Sequence, residues 1–105
     1  MRQIVVTLVG AGNSAPIPLD IHGRPEVSLQ VDINGAGPWG VEQTLDNPFT
    51  TPPANILWLP HPDPNMYNQG GDRQGNYAYI PAAVRLINAG TGTVKLTIVQ
   101  AGIIG

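Results

Sequence analysis

Cysteine is absent from this chain of 105 residues. That rules out a disulfide framework, a cysteine zinc site and a thiol nucleophile. Charge is scarce as well. Asp, Glu, Lys and Arg supply 11% of the residues, less than half the roughly 25% of an ordinary soluble domain. Five cations face seven anions, a net charge of −2. There is no basic footprint for nucleic acid and no acidic tail. No apolar run approaches the roughly 18 residues of a membrane helix. The opening run Ile4 to Val9 is too short for a signal-peptide core, and Asn13, Ser14, Pro16 and Pro18 follow at once. A strand buried on both faces fits it better.

What the chain has in quantity is glycine and proline, 13 and 11 residues. That load disfavours long helices and favours many turns. Between the turns lie short β-branched runs. Ile17 to Ile21 is a brief extended piece, and His22, Gly23 and Arg24 before Pro25 form a turn. Residues 26 to 33 alternate, with Val27, Leu29, Val31 and Ile33 on one face and Ser28, Gln30 and Asp32 on the other. Period two marks a half-buried strand. After Asn34 to Pro38, Trp39, Val41 and Leu45 share a face with Gln43, so 26 to 46 is expected to form a β-hairpin. Ala82 to Ile87 and Thr93 to Gln100 alternate around Gly90-Thr91-Gly92 and predict a second hairpin. The expectation is all-β: one sandwich domain over 1–105, with six to eight antiparallel strands. From Pro60 to Asn76 no period appears, and a loop that long in a small domain is usually an interaction arm, functional or mobile.

Motifs for chemistry fail one by one. Gly10-Ala11-Gly12-Asn13-Ser14-Ala15 fits a dinucleotide fingerprint, with Asp32 at the spacing of a ribose-binding acid. The helix it needs would run through Pro16, Pro18 and Pro25, at about 3 kcal/mol for each interior proline. His61-Pro62-Asp63, with His22, is a thin metal candidate. Asp63, Asn65, Asn68 and Asp72 break the calcium-loop pattern at Tyr67 and Asn68. The only serines, Ser14 and Ser28, lie in no nucleophile elbow. Glu42 and Asp46 lie on one strand face roughly 13 Å apart, too far for a retaining glycosidase pair and for most inverting ones. The expectation is no enzyme, no catalytic residue, no metal site and no cofactor. Arg85, the one charge inside an apolar strand, should pair with a carboxylate such as Asp20 or Asp46, or face solvent.

Recognition surfaces remain. Trp39 keeps register with the core, and Trp58 between Leu57 and Leu59 should be half-buried. Tyr67, Tyr77 and Tyr79 flank the long loop as candidate anchors. An aromatic platform of this kind would also suit a sugar-binding module. The end of the sequence, Ala101 to Gly105, is apolar at Ile103 and Ile104. The candidate interface residues are therefore Phe49, Pro52, Trp58, His61, Tyr67, Tyr77, Tyr79, Ile103 and Ile104. A surface this poor in charge makes sense when other protein covers much of it.

Three runs carry a resemblance: SAPIPLDIHGRPEVSLQVDI at 14–33, WGVEQTLDNPF at 39–49 and AAVRLINAGTGTVKLTIVQAG at 82–102. In that order they resemble small structural proteins of tailed bacteriophages, some of them similar to head decoration (cement) proteins. The resemblance implies a jelly-roll-like sandwich located in the virion and assembled in the host cytoplasm. It implies the major capsid protein as partner, a homo-oligomer (dimer or trimer), no nucleic acid and no membrane. A tail or neck component and a carbohydrate-binding module on the virion are the alternatives. It brings no catalytic residues, and the 60–76 loop has no counterpart in it.

Overall fold

The computed structural model describes residues 2–19, 27–77 and 80–100. Among the described residues nine strands form two antiparallel sheets: β1 (Arg2–Val9), β2 (Gly12–Asn13), β3 (Ile17–Pro18), β4 (Val27–Asn34), β5 (Trp39–Thr44), β6 (Leu59–Pro60), β7 (Arg73–Tyr77), β8 (Ala83–Asn88) and β9 (Thr93–Gln100). One sheet runs β1-β9-β4-β7. The other runs β2-β8-β5-β6, with β3 also on β8. β2 and β3 are two parts of one interrupted strand along β8. The register slips by one residue between Asn13↔Ile87 and Ile17↔Val84, which is a bulge. Ser14 closes it. Its backbone N–H donates to the Leu86 carbonyl at 2.7 Å, and its Oγ accepts the Leu86 N–H at 2.8 Å. Counted this way the described residues give eight strand positions in two four-stranded layers, the order of a jelly roll.

Alternation builds the core. In the first sheet Ile4, Ile98 and Leu29 stand side by side, then Val6, Leu96 and Val31, then Leu8, Val94 and Ile33. From the second sheet Trp39, Val41, Val84, Leu86, Ile17 and Leu19 face them. β1 is not buried on both faces as its composition suggests. It is an edge strand, with Val5 and Val9 exposed.

Neither expected hairpin forms. β4 and β5 lie in opposite sheets, and so do β8 and β9. An apolar stripe of period two is satisfied equally by pairing within a sheet or by facing across the core. The two glycine turns are therefore corners that carry the chain between layers. They dock on each other: the Gly92 N–H donates to Ala36 O at 2.8 Å, the Ala89 N–H to Pro38 O at 2.9 Å, and the Gly10 N–H to Gly92 O at 3.0 Å. A side chain on Gly92 would stand 2.7 Å from the Ala36 nitrogen. Asn88, 4% exposed, ties the corner. Its Nδ2 donates to Gly10 O, Gly90 O and Gly92 O at 3.3, 3.3 and 3.1 Å, and its Oδ1 accepts the Gly90 N–H at 3.1 Å.

The 60–76 stretch is an ordered closure and not a free arm. Trp39 and Gln69 exchange backbone hydrogen bonds of 2.8 and 2.9 Å, and the His61 N–H donates to Val41 O at 2.9 Å, so the segment lines the edge of β5. A 3-10 turn at Pro64–Met66 is capped by Asp63, whose carboxylate accepts the Asn65 N–H. This turn sends Met66 into the core, fully buried. Met66 occupies the space above Gly75 on β7, where a Cβ would lie 2.5 Å from its Cγ. β7 itself shows no period in the sequence, because RQGNY offers one large apolar side chain and a glycine under Met66.

Two stability predictions follow from this packing. Asn88→Ala removes four hydrogen bonds at a buried corner, and should lower the unfolding free energy by about 2–4 kcal/mol in urea titration. A loss below about 0.5 kcal/mol would show the corner to be dispensable. Gly75→Ala and Met66→Ala should each destabilise, Met66→Ala by about 2–5 kcal/mol. The double variant should lose at least about 1 kcal/mol less than the separate losses combined, because the new methyl enters the vacated space. Simple additivity would contradict the contact.

Candidate docking site

One end of the sandwich is apolar and open. Leu45, Phe49, Leu57 and Leu59 are 75%, 81%, 64% and 51% exposed. Single exposed apolar residues are ordinary, but a cluster is not. Leu45 and Phe49 line a groove of about 460 Å³ with Pro18, Leu19, Asn47, Pro48, Ile80 and Ala82. A recess beside it joins Leu45 to Leu57 and Leu59, over Gln43, Thr44 and Asp46.

The loop that displays these side chains is built and held. β5 ends at Thr44, whose Oγ1 accepts the Asp46 N–H at 3.0 Å. Asn47 then forms an Asx turn: its Oδ1 accepts the Phe49 N–H at 2.9 Å, while its carbonyl accepts from Thr50 and Thr51. Pro53–Asn55 makes a 3-10 turn. The Asp46 carboxylate accepts the Leu57 N–H at 2.8 Å, which closes the loop on its own start. Phe49 is thus presented on a scaffold whose backbone is already ordered, which lowers the entropy lost on docking.

Beside this end the outer face of the second sheet is covered by the same segment. Glu42 and Arg85 are cross-strand partners. Arg85 Nε and Nη2 both reach Glu42 Oε1 at 2.7 Å. The partner is Glu42 and not Asp46, and Asp20 lies outside the described residues. The half-buried Trp58 stacks over the guanidinium, with Cζ 4.6 Å from the ring centroid. Tyr67 lies against Gly40, where a Cβ would stand 2.7 Å from its ring. These lids leave all six residues of β5 buried, including Glu42 and Thr44, for which the alternation gave an outer face.

The nine candidate interface residues therefore separate. Phe49 and Pro52 are exposed, and Trp58 and Tyr67 are half-buried lids. His61 and Tyr77 are inside, 5% and 2% exposed. Their rings pack at 4.3 Å between centroids. Tyr77 Oη donates to Gln43 Oε1 at 2.8 Å, and Gln43 Nε2 donates to Pro60 O at 3.2 Å. Tyr79, Ile103 and Ile104 lie outside the described residues. Leu45, expected on the same face as the core residues Trp39 and Val41, is instead exposed because β5 ends one residue before it, and Leu57 and Leu59, from an apolar run between proline-rich segments, stand exposed beside it.

The polar residues weighed as ligands serve the backbone. Asp63 caps the 3-10 turn, and Asp72 Oδ1 accepts the Ile33 N–H at 2.9 Å. His61 Nδ1 accepts the Asp63 N–H at 3.0 Å, so its proton sits on Nε2 and donates to Asn76 O at 3.0 Å. Burial lowers the His61 pKa below 6.5, partly offset by the Asn76 carbonyl and the Asp63 carboxylate.

That shift has a sign. The unfolded chain takes up a proton near pH 6.5 while the folded chain resists it, so stability is full above 6.5 and falls as pH drops toward the folded pKa. The slope should reach at most about 1.4 kcal/mol per pH unit in urea titrations between pH 5 and 7. His61→Gln should flatten it. An unchanged slope would remove His61 as the cause.

No protein-family description matches the chain, and no curated protein does. Among solved structures the chain is similar to the coat protein dimer of tobacco streak virus, at 10% identity and a TM-score of 0.35, over 98% of this chain and 88% of that one. It is also similar to IMPa metallopeptidase in complex with T-antigen, at 14% identity and a TM-score of 0.38. That likeness spans 96% of this chain and 12% of the peptidase. The jelly-roll order rests on the strand pairing itself and not on either likeness.

Proposed function

We propose that this protein is a structural component of a bacteriophage particle, a head decoration protein that docks on the major capsid protein and stabilises the shell. The observation that carries the reading is the apolar end, with Leu45, Phe49, Leu57 and Leu59 exposed together on a hydrogen-bonded loop. Charge of only 11% points the same way, because a surface with so few ionised groups is suited to burial against protein. The sequence runs at 14–33, 39–49 and 82–102 supply the phage resemblance. A jelly roll is compatible with capsid proteins and also with lectins and cupins, so the fold alone selects none of them.

The mechanism is mass action. A protein that binds only the assembled shell lowers the free energy of that state, and copies bridging neighbouring subunits add interface to it. No enzymatic step and no cofactor enter. The protein assembles in the host cytoplasm and resides in the virion, with copies of itself as further neighbours.

Particles from a phage lacking the protein should melt at lower temperature, and adding purified protein should restore the transition at hundreds of copies per head. Phe49→Ser with Leu45→Ser should leave folding intact, since both side chains are exposed, and reduce head binding at least tenfold in co-sedimentation. Unchanged melting of deleted particles would overturn the reading. A few dozen copies per particle would move the protein to the tail or neck, and glycan quenching of a soluble monomer would make it a sugar-binding module.

A further inference from the structure

We infer that β1 is the surface on which two copies of this chain meet, pairing antiparallel about a two-fold axis so that the first sheet becomes one continuous eight-stranded layer. This deepens the assembly reading by naming the self-contact, and rests on it only for the setting in which copies are concentrated. The starting fact is topological. β1 is the outer strand of its sheet, and all eight residues pair on one side with β9. In an antiparallel strand alternate residues aim their N–H and C=O to opposite sides. Half of the eight therefore direct both groups away from β9.

Among the described residues the other sheet edges carry devices that discourage pairing. β2 and β3 are broken by a bulge and by Pro16 and Pro18. β6 is two residues long and ends in Pro60. β7 is short, begins with Arg73, and is flanked by the Pro64–Met66 turn. β1 also begins with a cation, Arg2, but it is eight residues long and its register on β9 is unbroken. From Gln3 to Val9 it contains no proline, no glycine and no charge. Its outer-face side chains include Val5 and Val9, 52% and 76% exposed.

The partner that fits is a second copy. Antiparallel pairing about a two-fold needs the same edge on both chains, which is what an isologous contact supplies. Directly opposite residues in such a pair lie on the same face, so Gln3, Val5, Thr7 and Val9 meet the same set from the other copy. With no charge among them, the approach meets no like-charge repulsion. Nothing along this edge offers a charge pattern that would select a different strand. Two such strands make a strip roughly 26 Å long and roughly 10 Å deep, about 260 Å² on each copy, well short of the roughly 1,200 Å² that marks a stable interface. The contact is therefore reversible in free solution and becomes populated where a particle holds copies together.

The test is sedimentation equilibrium of the full chain from micromolar to millimolar concentration, paired with hydrogen exchange. Wild type should pass reversibly from monomer to dimer, and β1 amides should gain protection as concentration rises. Val5→Lys with Val9→Lys, at exposed positions that leave the core untouched, should weaken the dimer at least tenfold. Gln30→Lys, which places a cation on the same face but on β4, should leave it within twofold. Phe49→Ser should dimerise normally while losing head binding, which separates this contact from the docking end. A monomer at 1 mM would overturn the inference. So would β1 protection that is independent of concentration, which would mean the edge is covered within one chain. Equal weakening by Gln30→Lys, or loss of the dimer in Phe49→Ser, would also place the contact elsewhere.

Discussion

One amide side chain ties two crossings of this chain together. Asn88 sits at the end of β8, bonded to carbonyls of Gly10, Gly90 and Gly92 and to the Gly90 N–H. The turn at Gly35 and Gly37 is packed against the same place, and their lack of side chains lets two corners lie on each other. A jelly roll changes layer at nearly every connection, so its layers stay in register only if the corners are fixed. Here that task falls on glycine backbone and a single Asn. It does not fall on a large core, which at 105 residues would be thin.

With that end closed, the opposite end is free to differ. β5 finishes at Thr44, and the chain leaves it through a loop tied by Asp46 and Asn47. The loop exposes Leu45, Phe49 and Leu57, whereas the segment after it turns back to bury Met66 and to lay Trp58 and Tyr67 over β5. One continuous stretch thus does two things. Its first half presents apolar side chains, and its second half closes the sandwich. The buried His61 belongs to the second half and has a structural role, linking Asp63 and Asn76 through its two ring nitrogens.

The sandwich was legible where side chains alternate. Val27 to Ile33, Val84 to Leu86 and Val94 to Ile98 all face the core as their spacing requires. Pairing was not legible, because alternation fixes which side chains face inward but not which strand lies beside which. Both glycine turns therefore looked like hairpins and are layer crossings. The partner of Arg85 was hidden for the same reason: Glu42 becomes its neighbour only once β5 is known to pair with β8. β7 was invisible because its inner face holds Gly75, whose missing side chain is replaced by Met66 from a distant loop. Of the candidate contact residues, Phe49 and Pro52 stand at the surface. His61 and Tyr77 looked equally available, since nothing in a sequence shows that their rings would stack.

A three-dimensional image of the intact phage particle, at a resolution that separates β-sheets, bears on the whole scheme at once. The scheme places copies of this sandwich on the outer shell with the Leu45 and Phe49 loop turned inward against capsid subunits. Finding the protein absent from the shell, or present with that loop pointing into solvent, would contradict it.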